Sequence, residues 1–167
     1  MLGHPVHPVL VAFPLGLLLT AILFDLWGWW SANLFWSDLA FYLIVAGVIG
    51  GLLAAPFGLV DWLAIPRGTR AKAIGAWHGG GNVVALTLFS LSAWLRLGQP
   101  AAFGGWPLLV AMLGAGVVLV TGWLGGELVV RLAIGVDPNA HVDAPSSLSQ
   151  DHVPEAHSHP SHVGRPH

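Results

Sequence analysis

Four apolar stretches, each about long enough to cross a bilayer, leave this 167-residue chain few ways to fold. Lipid offers no water to satisfy bare backbone groups, so a spanning segment must be a helix or part of a closed barrel. A helical crossing takes roughly 20 mostly apolar residues. The runs at 8–30, 38–63, 71–95 and 106–134 qualify, and Pro14 falls early enough in the first to kink it. Links at 31–37, 64–70 and 96–105 are short, which favours antiparallel neighbours. The expected fold is therefore all-α: a four-helix transmembrane up-down bundle over residues 1–136. From residue 137 Pro, Ser, Asp and His replace the apolar pattern, so 137–167 reads as a disordered, His-rich cytoplasmic tail.

Composition narrows the function classes. Of the residues, 55% are hydrophobic and 8% charged, against about 25% charged in soluble domains. A net charge of −2 gives no basic surface for nucleic acid. Without cysteine there is no disulfide, thiolate zinc site, iron–sulfur cluster or thioether-linked haem. Histidine, carboxylate and backbone oxygen remain as strong ligands, with Met1 and Met112 as weak ones. The N-terminal run lacks a basic leader region and a small-residue cleavage site, so it reads as an uncleaved first span. Trp29, Trp30, Trp36, Trp94 and Trp106 cluster at the junctions of spans one with two and three with four, as an interfacial aromatic belt does. Arg67, Arg70, Lys72 and Arg131 flank the opposite face, where Arg96 alone flanks the Trp-rich one; positive residues stay inside, so both termini are expected in the cytoplasm. Glycines four apart (Gly47 and Gly51, Gly75 and Gly79, Gly122 and Gly126) suit close helix packing in lipid.

The up-down topology collects chemistry on the cytoplasmic side. His4 and His7, each before a proline, precede span one, and Asp61 ends span two. His78 lies six residues past Lys72, about 9 Å down span three. Glu127 lies seven residues before Ile134, about 10 Å up span four. Asp25 goes to the other face, with Asp38 and Arg96. A carboxylate in lipid is costly and needs a partner. Arg131 offers Glu127 one on its own helix, His78 offers another, and Asp61 has Arg67. Gly79-Gly80-Gly81 beside His78 clears room for something flat or for a very close helix, and Asn82 stands one turn on.

Two kinds of centre fit these residues. One is a b-type haem with His78 and His7 or His4 as axial ligands, near Asn82, with Arg67, Arg70 or Lys72 toward the propionates. The other is a transition-metal ion (iron, zinc, copper or nickel) held by His4, His7, His78 and Glu127 with Asp61. The competing expectation is a non-catalytic structural or accessory subunit whose helix ends are salt-bridged. No nucleophile elbow or phosphate loop is present, and the chain does not read as an enzyme on its own. The remaining segment with ligand character, His157-Ser158-His159-Pro160-Ser161-His162, reads as a solvated tail with incidental metal affinity.

These motifs resemble a known family. Gly3-His4-Pro5-Val6-His7-Pro8 with the run to Leu18, Phe24-Asp25-Leu26, Asp61-Trp62 through Ala71, His78 with Asn82, and Gly125-Gly126-Glu127-Leu128-Val129 are similar, in this order, to the bacterial family called domain of unknown function 2231. The resemblance covers about residues 2–136. It implies a four-helix protein of the bacterial inner membrane without an established activity, similar in plan to the four-helix b-type cytochromes; besides the lipid bilayer, the expected partners are a redox partner or a larger membrane complex. Members often carry Tyr and His just after Gly-Gly-Glu-Leu-Val; this chain has Val130 and Leu132 there.

Overall fold

The computed structural model describes residues 6–97 and 105–146. Within 6–136 it contains four helices: α1 (Val6–Ser31), α2 (Leu34–Ala64), α3 (Arg70–Arg96) and α4 (Gly105–Val130), with no strand among the described residues. The expected all-α architecture is present. α1, α2 and α4 are long and apolar enough to cross a membrane. α3 has the same length but gives up apolar character at His78, Gly79–Gly81 and Asn82. α1 lies along α2, and α3 along α4; the two hairpins meet mainly through α2 and α3, and α1 touches α4 sparsely.

Several boundaries differ from the sequence reading. Only Ala32 and Asn33 separate α1 from α2, because Asn33 caps α2: its side-chain oxygen accepts from the Phe35 N–H at 3.1 Å. Leu34–Trp36 therefore continue a helix rather than a link. His7 lies inside the first turn of α1 instead of preceding it. α4 ends at Val130, where the Arg131 and Leu132 N–H groups both turn back to the Glu127 carbonyl and Ala133 takes a left-handed φ of 51°. At the start of α3, Thr69 Oγ1 accepts from the Lys72 N–H at 3.1 Å. The Lys72 ammonium sits 3.9 Å over the Trp62 ring and donates to the Trp62 carbonyl at 2.6 Å, while Trp62 Nε1–H donates to the Lys72 carbonyl. A cation on the last carbonyls of α2 satisfies groups that a helix end leaves bare. Residues 137–146 form two successive turns, closed by Ala140 N–H to Asp137 O and Ala144 N–H to His141 O. The remainder of the expected tail lies outside the described residues.

Near the Trp-rich end the helices are tied by charge. Arg96 grips Asp25 with both terminal nitrogens, at 2.8 and 2.6 Å, and both side chains are almost fully buried. Ser37 of α2 donates to Asp25, Arg96 also donates to Ser92, and Ser92 donates to the Pro107 carbonyl of α4. One network thus touches every helix. Asp38, expected beside this pair, is exposed and takes no part. Trp29, Trp30, Trp94 and Trp106 are exposed at this end, as an aromatic belt requires.

Two apolar clusters form the interior. The larger, around Leu18, Ala21, Ala40, Ile44, Ala85, Phe89, Ala111 and Val118, lies beneath the charge network. The smaller, Ile65, Ala71 and Leu128, closes the opposite end. Close approach depends on glycine at selected points. A Cβ on Gly47 would meet Leu18 at 2.7 Å and one on Gly51 would meet Leu86 at 2.6 Å, whereas a Cβ on Gly81 would collide with the Thr121 methyl. Gly79, Gly122 and Gly126 face open space, so they are not the packing points that their spacing suggests, and Gly80 faces open space as well.

Two stability outcomes follow, both read by denaturant unfolding in detergent followed by circular dichroism. Asp25→Ala is expected to cost about 3–5 kcal/mol by stranding a buried guanidinium, and Asp25→Ala/Arg96→Met to cost less than the sum of the single changes. Gly81→Val should lose about 1–3 kcal/mol by forcing α3 from α4, while Gly80→Ala gains up to about 1 kcal/mol of helix propensity.

Candidate functional site

Between the two apolar clusters lies a polar layer built from all four helices. On α3 it falls between Ala71 and Ala85, on α4 between Val118 and Leu128, and on α2 between Ile44 and Ile65. Its members are His7, His78, Asn82 and the backbone around Ala54, Gly58, Thr121 and Gly125. Gly58 is six residues from the end of α2, so the layer sits about 9 Å inside that end. His7 is accordingly deeper than an interfacial residue.

Two histidines 71 positions apart in sequence are brought together here. The rings of His7 and His78 stand nearly perpendicular, at 88°, with centroids 6.4 Å apart. Each ring rests on a glycine of the neighbouring helix in its own hairpin: a Cβ on Gly58 would stand 2.7 Å from His7 Cε1, and one on Gly125 would stand 3.0 Å from His78 Cε1. These glycines are seats for the imidazoles, a role that neither their sequence spacing nor the Gly79–Gly81 run indicated.

The hydrogen bonds fix the protons. His7 Nδ1 lies 3.2 Å from the Ala54 carbonyl, and His78 Nδ1 lies 2.8 Å from the Thr121 carbonyl. A carbonyl only accepts, so Nδ1 carries the hydrogen in both rings. In a neutral imidazole Nε2 then bears the lone pair. His78 Nε2 accepts from Asn82 Nδ2 at 3.1 Å. His7 Nε2 takes no hydrogen bond from a described residue. The layer thus presents two imidazoles anchored through Nδ1; the Nε2 lone pair of His7 is open, while that of His78 is taken by Asn82.

The other expected ligands do not join them. Glu127 pairs with Arg70 of α3 at 2.6 Å, rather than with Arg131 on its own helix or with His78. The Arg70 side chain is long enough to reach across from the start of α3, and is itself 63% exposed. Asp61 is exposed and makes no ion pair with Arg67, because Arg67 lies past the end of α2 in the turn before Thr69. His4 lies outside the described residues. Among the described residues no three His, Asp or Glu side chains gather closely enough to hold a metal ion. The carbonyls of Ala54 and Thr121 were not legible as site members, since a backbone acceptor leaves no residue signature.

The sequence profile of a family described as "Predicted membrane protein (DUF2231)" matches residues 3–138. The chain belongs to that family. The match takes in both hairpins, the histidine layer and the Asp25–Arg96 pair, and its description names a membrane protein without an activity. No curated protein and no solved structure gives a significant match.

The proton assignment can be measured directly. Nitrogen NMR of protein labelled with ¹⁵N-histidine is expected to show His7 and His78 in the Nδ1–H form at neutral pH. Each signal is identified by its loss in His7→Gln or His78→Gln.

Proposed function

We propose that this multi-pass protein is a small electron-carrier subunit of the bacterial cytoplasmic membrane, holding one b-type haem between His7 and His78. The observation that carries this reading is the pair itself: two imidazoles from different hairpins, 6.4 Å apart, each oriented through Nδ1 by a backbone carbonyl. Iron-binding histidines characteristically donate their second nitrogen in this way, which fixes the ring and raises its basicity. The donor set also favours haem over a bare ion. A lone ion takes three or four protein ligands, whereas haem iron needs only axial ones, and two are supplied here. Haem would contribute one-electron chemistry, at a potential set by its axial ligands and surroundings.

The chain's own residues have separate duties in this reading. His7 and His78 ligate. The Ala54 and Thr121 carbonyls orient them, and Gly58 and Gly125 let the rings lie against backbone. Arg67, exposed and without an ion pair among the described residues, and the exposed part of Arg70 can meet carboxylates at the membrane edge. The positive charges of Arg67, Arg70, Lys72 and Arg131 support a cytoplasmic position for that edge and for both termini. Arg96 does not offset this bias, because Asp25 neutralises it. Electrons would pass to a partner in the membrane or at its surface.

One observation favours a second reading, that of a structural or accessory subunit. Both nitrogens of His78 are already hydrogen-bonded within the protein, and a satisfied polar layer specifies helix register without any cofactor.

The visible spectrum of the purified full-length protein in detergent decides between them. The haem reading expects a Soret band that is lost in His7→Ala and in His78→Ala but retained when residues 147–167 are removed. A colourless protein that stays colourless on titration with haemin, yet unfolds more easily as His78→Ala, supports the accessory role.

A further inference from the structure

His78 cannot ligate anything in the arrangement described above, because its one free lone pair is in use. Nδ1 is committed to the Thr121 carbonyl, and Nε2 accepts from the Asn82 amide at 3.1 Å. Asn82 lies one helical turn beyond His78 on α3, and among the described residues that amide has no other hydrogen bond. Rotation of the Asn82 side chain would break that one hydrogen bond and free the lone pair. His7 differs: its Nε2 has no such cover. The two imidazoles are therefore unequal, one open and one closed by a neighbour through a single hydrogen bond.

We infer that Asn82 is a latch on the site, occupying His78 Nε2 in the empty protein and giving way when an iron-centred ligand arrives. The inference rests on the His7–His78 reading given above. Binding then proceeds in order: the ligand is taken first by the open imidazole of His7, and His78 closes on it once Asn82 rotates. The latch keeps the lone pair satisfied while the site is empty, since an acceptor left bare in the bundle interior is costly. It also lowers affinity, because the ligand must displace one hydrogen bond.

The latch makes predictions of opposite sign for two small substitutions. Asn82→Ala and Asn82→Leu remove the competing donor, so haemin should bind about two- to tenfold more tightly, the weight of one net hydrogen bond. Asn82→Asp replaces the donor with an acceptor. A carboxylate there calls for a proton on Nε2 while Thr121 holds the one on Nδ1, which drives His78 toward an imidazolium with no lone pair to give. That variant should bind haemin more weakly than the native protein.

The experiment is a haemin titration of the full-length protein in detergent, read by the Soret band, for the native chain, His78→Ala and the three Asn82 variants. ¹⁵N-histidine NMR of the empty proteins runs alongside as a reading that does not require haemin. The latch predicts that in Asn82→Ala the His78 Nε2 signal moves toward that of an unbonded lone pair while Nδ1 stays protonated. Tighter binding in both Asn82→Ala and Asn82→Leu, weaker binding in Asn82→Asp and that shift together support it. Binding that is lost in His78→Ala but unchanged or weakened in Asn82→Ala and Asn82→Leu overturns the latch and leaves the haem reading standing. Binding that is the same in His78→Ala as in the native chain, or absent from every variant, overturns the haem reading and the latch with it.

Discussion

A carboxylate and a guanidinium buried against each other hold the bundle in register. Neither Asp25 nor Arg96 is favourably placed against lipid alone, since a charged side chain in a spanning segment is costly and calls for a partner. Paired through both terminal nitrogens, they satisfy each other, and Ser37, Ser92 and the Pro107 carbonyl extend the contact to the remaining helices. Apolar burial cannot do this work in a bilayer, where lipid tails are as apolar as leucine. Direction and depth must come from groups that lipid rejects. The pair costs something as well, since Arg96 Nε is buried without a partner.

The histidine layer lies between the two apolar clusters, closer to the α2–α3 turn than to this network. Each hairpin contributes one imidazole and the glycine on which it rests. The site is therefore not a pocket lined by loops. It is a property of how two hairpins face each other, and its geometry is only as fixed as their packing. The Asp25–Arg96 contact, which joins α1 to α3 just as His7 and His78 do, sets that relation from the far side of the membrane.

Much of this was readable from residues. Apolar run length fixed the helix count, and short links fixed the up-down order, so the faces that hold Asp25 and His78 followed from counting along the chain. Topology puts His7 and His78 in the same half of the bundle, but their meeting at one depth was not readable, because His7 reads as preceding span one and lies inside α1. What failed did so for physical reasons. Sequence spacing points to partners one turn apart, such as Glu127 and Arg131, but Arg70 reaches Glu127 from a neighbouring helix. The α1–α2 link is shorter than its polar residues suggest because Asn33 serves as a helix cap. Gly58 and Gly125 as ring seats, and two backbone carbonyls as anchors, could not be read at all, since they depend on which side chain lies opposite.

The far-face ion pair also has a temporal side. Asp25 leaves the ribosome 71 residues before Arg96. At about 5–20 residues per second, that is an interval of roughly 4–14 seconds. Through it the first hairpin can already form, because α1 and α2 need only each other and a two-residue turn. Ser37, 12 residues after Asp25, is its nearest partner in the chain and the first to emerge. The carboxylate thus waits in a half-built protein for a cation carried by the next hairpin. A chain that stalled or was cut before α3 would leave that carboxylate without its cation, held by Ser37 alone.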